Sequence, residues 1–491
     1  MQILPAMDEA KKFAAAGEYA VLPVSGEILS DFITPTEAFK ILKNSSTHAF
    51  LLESAKTGDM WGRYSFLGFA PKMLVTCKNK EFTAEGKTFA VADPVCELRR
   101  ILRGYKAPRL AYLPPFTGGL MGYFAYDYFA SVEPAAQVAD LRDDTDFFDF
   151  DLMLFDKVIA FDHGRQKIIL IVNIKLTGDI AAEYDRAEAE IKRMADLLRT
   201  GKKATLTAGS MTGEIEPLFA KDEFCAMVDK AKKYIYEGDI FQVVLSNRLS
   251  APFEGSLFDT YRLLRTINPS PYMFYFAGLD AEVAGASPET LVKLEDGVLR
   301  TFPLAGTRPR GKTAVEDAAL CDELLRDEKE LAEHNMLVDL GRNDLGKVSD
   351  FGSVKIEKLH SIEKFSHVMH IGSTVKSRIA ENGDALDAIG AVLPAGTLSG
   401  APKIRAAQII GELEGVRRGL YGGAIGYIDF AGNMDTCIAI RLVYKKNDRV
   451  YVQSGAGIVA DSVPEKEYTE CLNKAKAVMH ALEQATNGED V

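Results

Sequence analysis

The sequence predicts an α+β fold whose sheets are largely antiparallel, because its strand-like segments arrive as consecutive hairpins. In the first half, Lys157 to Phe161 and Lys167 to Val172 flank the turn Asp162-His163-Gly164. Other short alternating segments, such as Met73 to Cys77, occur between Tyr19 and Val172. Near the C-terminus, Gly423 to Phe430, Asp435 to Tyr444 and Arg449 to Ser454 form a meander, with Ala431-Gly432-Asn433 and Asn447-Asp448 as its turns.

Helical patterning places one helix over Ile180 to Arg199, ended by Gly201-Lys202-Lys203. The stretch from Ala204 to Gly213 is small, polar and aperiodic, which sets an N-terminal region at 1–204, a linker at 205–217 and a second region at 218–491. Further helices are expected over Lys221 to Glu237, Val315 to Leu340, Ala385 to Val392 and Val463 to Gln484. The last has a start signal, since Ser462 followed by Pro464 and Glu465 reads as a capping box.

The 491 residues allow two or three domains, and 47% hydrophobic with 26% charged residues is ordinary globular usage. A formal charge of -12, from 58 Lys plus Arg against 70 Asp plus Glu, argues against nucleic acid as a partner. Anions must be met locally. Six cysteines without a CxxC pair suggest neither a disulfide framework nor a zinc site. The N-terminus shows no export signal and no apolar run of membrane-spanning length, so a soluble, cytoplasmic protein is expected.

Glu330 and Glu333 lie three apart on one expected helix, and Glu467 and Glu470 repeat that spacing on another. Opposed, the two faces would hold a divalent cation, and hard oxygen donors without nearby His or Cys favour Mg²⁺. A solvated acidic stripe, with Glu470 and Lys474 as an exposed pair, fits the spacing as well. Gly455-Ala456-Gly457-Ile458-Val459-Ala460 matches a dinucleotide fingerprint, but the expected helix begins several residues too late and no βαβ unit surrounds it. A glycine turn reads better, either one offering backbone N–H groups to an anion or a plain tight turn. Pro394 to Lys403 fails the phosphate-loop pattern on spacing and on its final hydroxyl. Arg441, expected on a strand face with Cys437, Ala439 and Val443, either snorkels to the sheet rim, which the sequence alone favours, or takes a partner that a ligand carboxylate would supply. His367 and His370 fall on opposite strand faces, so at most one faces a site.

These segments resemble the chorismate-utilising enzymes, and among them the anthranilate synthase component I family. The resemblance is carried by Gly238 to Ser246, Asn268 to Phe274, Ser287-Pro288-Glu289, Ala305 to Gly311, Glu333 to Leu340, Ser366 to His370, Pro394 to Arg405, Asp435 to Arg441 and Gly455 to Asp461. Upstream, Leu51 to Ser54, Gly62 to Phe66 and Gly118 to Tyr123 match as well. It implies antiparallel sheets packed as a sandwich with helices outside, the two halves of the chain meeting around one catalytic core.

The resemblance also implies a lyase of tryptophan biosynthesis: ammonia adds at C2 of chorismate as the C4 hydroxyl leaves, and pyruvate is then eliminated to give anthranilate. By the same resemblance Glu333 and Glu470, with Glu330 and Glu467, hold Mg²⁺; Glu289 is the general acid; and His370, Gln242 and Thr397 complete the catalytic set. Arg441, Tyr421, Gly455, Ala456, Gly457, Gly306, Thr307 and Lys474 hold the substrate. Leu52, Glu53, Ser54, Pro271, Tyr272 and Met273 match the family's pocket for L-tryptophan, its feedback inhibitor.

Two positions choose within the family. Relatives that use water carry a lysine where this chain has Gln242, and a neutral amide generates no hydroxide. Aminodeoxychorismate synthase component I, the remaining alternative, places a nucleophilic lysine where Ala305 stands. No glutaminase segment is recognisable, so a separate glutamine amidotransferase subunit should supply the ammonia, in a heterotetramer of two large and two small subunits.

Overall fold

The structure is a computed structural model, and it describes residues 1–55, 62–278, 281–364 and 368–488. Ser366 and His367 lie outside the described residues. Two large antiparallel sheets face each other, and each is spliced from both halves of the chain. In the first sheet Ala49–Glu53 pairs with Tyr272–Ala277, setting Glu53 opposite Met273. In the second, Gly119–Phe124 pairs with Ala424–Asp429, setting Phe124 opposite Ala424. The expected α+β sandwich is what forms.

Strand Lys167–Lys175 shows why these segments read as nearly continuous apolar runs. Ile168 and Leu170 pack outward beneath helix Ile180–Thr200, whereas Ile169 and Ile171 point into the space between the sheets. Both faces are covered, so both must be apolar. The helix is capped by Asp179, whose carboxylate accepts from the Ala181 and Ala182 N–H groups, and it buries Tyr184, Ala187, Ile191, Met194, Ala195 and Leu198 along one stripe. The inter-sheet core is aromatic: Phe50 meets Phe155 edge-on at 4.9 Å, and Phe116 stacks on Tyr427 at 4.4 Å. No helix among the described residues is long and apolar enough to cross a membrane.

Two of the places where the chain steps from one sheet to the other form adjacent corners. Pro288 and Glu289 join Glu282–Ser287 of the first sheet to Thr290–Glu295 of the second. Ala439 to Arg441 join Met434–Ile438 of the second sheet to Leu442–Lys446 of the first. The expected single strand Asp435 to Tyr444 is therefore two strands in different sheets. Arg441 does not share a strand face with Cys437 and Val443; it sits at the bend with φ of 53°. An apolar run with no glycine or proline concealed the corner. The corners are hydrogen-bonded together, Ile438 N to Glu289 O at 3.0 Å and Ala286 N to Arg441 O at 3.0 Å.

Three other expectations change. The helix expected over Val315 to Leu340 is two, Ala314–Leu324 and Glu328–Gly346, because Asp327 caps the second by accepting from the Lys329 and Glu330 N–H groups. Val463, not Ser462, is the N-cap of Pro464–Thr486, and the Ser462 hydroxyl accepts instead from Val459 N at 3.1 Å. Gly455 to Gly457 are not a turn but part of strand Arg449–Ile458, paired with Val244 to Ser246.

Behind the corners lies a fully buried ion pair. The Arg418 guanidinium donates to both Glu414 carboxylate oxygens, at 2.9 and 2.6 Å, and to the carbonyls of Leu398 and Val244, each at 2.7 Å. Glu414 also accepts from Ser246 N at 2.8 Å. One guanidinium thus ties the Gly396–Leu398 turn to strand Gln242–Glu254. Removing one partner strands a buried charge, so Arg418→Met should destabilise the protein by about 3–5 kcal/mol, and Glu414→Leu added to it should recover part of that loss. Urea unfolding of both variants measures this; a loss below about 1 kcal/mol for the single variant would mean that Glu414 is not held as a buried charge.

Candidate active site

A cavity of about 1240 Å³ opens between the sheets at the two corners, closed over by helices Glu328–Gly346 and Pro464–Thr486. Strand Gln242–Glu254 supplies Gln242 and Val244 to its wall; the corners supply Glu289 and Arg441. The paired strands Leu304–Pro309 and Val368–Arg378 supply Gly306, Thr307 and His370. Thr397, Tyr421, Gly455, Gly457 and Lys474 complete the wall, together with Glu330, Glu333, Glu467 and Glu470. Residues from ten separated segments thereby converge. Ala456 is the exception: its side chain is buried in an apolar cluster with Ile458 and Cys471, on the other face of the strand.

The glycines shape this wall. A Cβ at Gly455 would come within 2.9 Å of the Tyr421 hydroxyl, and one at Gly457 within 2.6 Å of the Gln242 amide nitrogen. The ladder to Leu442–Lys446 covers their strand only from Arg449 to Val452. Among the described residues no strand pairs with that edge beyond Val452, so backbone groups near the glycines, apart from the Gly455 carbonyl, remain for a ligand.

Glu289 is the carboxyl best placed for proton transfer. Burial raises its pKa to about 7, partly offset by the Thr397 hydroxyl donating to Oε1 at 3.1 Å and by the Lys474 charge. His370 Nδ1 lies 2.9 Å from the Gly306 carbonyl, which only accepts, so Nδ1 carries the proton and Nε2 the lone pair. Burial, with a smaller push from Arg441, keeps the ring pKa below its ordinary value and favours neutral imidazole. Gly306 stands out of register between Ala305 and Thr307, and its φ of 65° at this bulge is one that a side chain would strain.

Arg441 has no ion-pair partner among the described residues, and burial lowers its pKa. A desolvated guanidinium facing a cavity is a site for an anion. Lys474 is engaged, donating to Gly455 O at 3.1 Å and pairing with Glu470 at 2.8 Å.

The two glutamate pairs sit on the two facing helices, as their spacing suggested. Glu333 has its pKa raised by desolvation and then by Glu330 and Glu470; Glu467 has its own raised by desolvation and by Glu470. Four carboxylates that repel one another across a gap, without His or Cys, suit a hard divalent cation. They line the gap without closing it: no three His, Cys, Asp or Glu among the described residues are gathered into a ligand cage.

A second, smaller cavity of about 90 Å³ is lined by all of Leu52, Glu53, Ser54, Pro271, Tyr272 and Met273. The Ser54 hydroxyl is buried there without a partner among the described residues. Glu53 is already engaged, accepting from Tyr261 Oη at 2.6 Å and pairing with Arg265 at 2.8 Å.

Sequence reasoning missed Lys329 and Gln453, which also line the large cavity. Lys329 is masked by the acidic helix around it. Gln453 shares strand parity with Gly455 and Gly457, a signal lost when those glycines are read as a turn.

A family model described as chorismate binding enzyme matches residues 47–480. Anthranilate synthase component 1 of Acetivibrio thermocellus is 46% identical over 492 residues, covering 98% of this chain and 99% of that protein. Its counterpart in Aquifex aeolicus is 44% identical, with both chains wholly covered. The crystal structure of anthranilate synthase component I from Streptococcus pneumoniae superposes with a TM-score of 0.75 at 37% identity, over 92% of this chain and 98% of that one. The menaquinone-specific isochorismate synthase of Escherichia coli shares the fold, with a TM-score of 0.70 at 19% identity over 97% and 99% of the two chains. Matched along nearly all its length by full-length relatives, the chain belongs to the chorismate-binding enzyme family, on its anthranilate synthase component I branch.

Proposed function

We propose that this chain converts chorismate and ammonia to anthranilate, pyruvate and water. The observation that carries the reading is that the unpaired Arg441 and the neutral-range Glu289 open into one cavity, on adjacent corners of the two sheets. Arg441 and the open strand edge at Gly455 and Gly457 suit the substrate's carboxylates, with Tyr421, Thr307 and Lys474 around them. Ammonia forms a bond to C2 while the ring double bonds shift and the C4 oxygen leaves. Glu289 gives that oxygen its proton, and burial keeps the carboxyl protonated near neutral pH. His370 Nε2 suits the second step, taking the proton from C2 as the enolpyruvyl oxygen departs. Gln242 and Ala305 support amination at C2 without a lysine base or a lysine nucleophile.

Glu330, Glu333, Glu467 and Glu470 would hold Mg²⁺, which when bound supplies Lewis-acid polarisation of the ring carboxylate. The relatives' title of component 1 supports a second component, which we take to be a glutamine amidotransferase in a two-plus-two assembly. The small cavity is proposed to bind L-tryptophan, with the Ser54 hydroxyl meeting the amino acid's polar end. At about 90 Å³ it lies below the usual range of ligand pockets, so an indole must displace part of its lining.

The purified chain with chorismate, Mg²⁺ and an ammonium salt should yield anthranilate, identified by fluorescence and mass, and should yield none with glutamine. Glu333→Gln should abolish turnover and leave the metal-free melting temperature unchanged or slightly raised, since it removes one of several repelling charges. A large melting loss, or normal turnover, would make Glu333 a structural residue.

Thr397→Val removes the hydroxyl that favours ionised Glu289, so the carboxyl pKa rises above about 7. The acid must be protonated to act, so the alkaline limb of kcat/KM should move to higher pH. An unmoved or lowered limb would assign the proton to another group.

Ser54→Phe should relieve tryptophan inhibition and leave uninhibited turnover nearly intact. Tryptophan titrations of both proteins at several chorismate concentrations test this, and equal inhibition of the variant would place the effector elsewhere. Coupling of about 1–3 kcal/mol corresponds to roughly 5–150-fold weaker chorismate binding.

A further inference from the structure

We propose that the side-chain oxygen of Gln453 is an ammonia-holding subsite in the deep wall of the inter-sheet cavity. The inference rests on the amination reading above and adds to it the place where the nucleophile waits.

Gln453 is only 5% exposed, lines the cavity, and its Oε1 has no hydrogen-bond partner among the described residues. Its orientation is fixed by a chain of donors. The Ser246 hydroxyl spends its single proton on the Glu414 carboxylate at 3.0 Å, so toward Gln453 it only accepts. It takes that bond from Gln453 Nε2 at 2.9 Å. Glu414 is held as an acceptor by the Arg418 guanidinium. A flipped amide would set two oxygens against each other and lose the bond, so the carbonyl oxygen faces away from Ser246. A buried carbonyl left in this way asks for a donor.

Strand parity puts Gln453 on the same face as Gly455 and Gly457, about 7 Å from Gly455 along the strand. A carbonyl oxygen repels the carboxylates that Arg441 and the open edge attract. Neutral ammonia offers three N–H donors, and bonding one of them to Oε1 leaves its lone pair free to attack. No proton moves and no bond breaks at this subsite.

The test uses the complete chain with ammonium salts at fixed pH and Mg²⁺. Gln453→Leu should raise the apparent KM for ammonium roughly 3- to 10-fold, the effect of one neutral hydrogen bond. The KM for chorismate should stay within about twofold, and kcat at saturating ammonium should be preserved. An unchanged ammonium KM would mean that Oε1 holds only a buried water. A joint rise of both KM values with a falling melting temperature would mean a structural role. Should the leucine variant not fold, Ser246→Ala frees the amide to turn; it should raise the ammonium KM alone, and an unchanged value there overturns the proposal. Failure of the unaltered chain to make anthranilate would sink the amination reading instead, which separates the two outcomes.

Discussion

The active cavity depends on one constraint: the chain changes sheets twice at the same place. Ser287 and Ile438 end strands in opposite sheets, and the Ser287 hydroxyl donates to the Ile438 carbonyl at 2.7 Å. With the two backbone bonds between the corners, this fastens Glu289 and Arg441 side by side. A corner leaves both flanking ladders, so its side chain can project into the cavity between the sheets. The left-handed backbone at Arg441 costs of order 1–3 kcal/mol, and the surrounding bonds hold it there. Function has been placed where the two sheets must be joined.

The same corners explain how an acidic protein receives an acidic ligand. Net charge sets the distant field, but a desolvated guanidinium without a carboxylate partner dominates within a few ångströms. The glutamates stand on the covering helices, across the gap from Arg441. Cationic and anionic side chains therefore line one cavity, and on the proposed reading the glutamates would hold the cation while Arg441 meets a ligand carboxylate. Burial acts on each wall according to its charge. It raises the Glu289 carboxyl and lowers the Arg441 guanidinium and the His370 ring, in every case toward the neutral form.

Much of this was legible in the sequence. Period-two patterning with turn residues identified the hairpins, glycine stops ended the helices Ile180–Thr200 and Lys221–Tyr236, and helical patterning placed Ala385–Val392. The glutamate pairs were visible because helical spacing of three survives folding unchanged. What hid were features that local pattern does not encode. A sheet change within Cys437 to Leu442 leaves the apolar run intact, and the glycines of Gly455 to Gly457 thin a strand where local chemistry suggests a turn. The assignment of roles came from resemblance, since spacing alone favoured a solvated acidic stripe over the metal site.

The second cavity shares a wall with the acid. Tyr272 reaches across the gap, donating to Asp435 at 2.7 Å and sitting 2.9 Å from the Thr290 hydroxyl, and Thr290 directly follows Glu289. Asp435 lies on strand Met434–Ile438, which ends at the corner carrying Arg441. A ligand that pushes Tyr272 aside to make room for itself must disturb the residue next to the acid and the strand leading to the guanidinium. Because the corners are fastened to each other, neither shifts alone. Close packing between the sheets makes such a wall bistable more readily than compliant, so on the proposed reading filling the small cavity would compete with filling the large one for one arrangement of the same few residues.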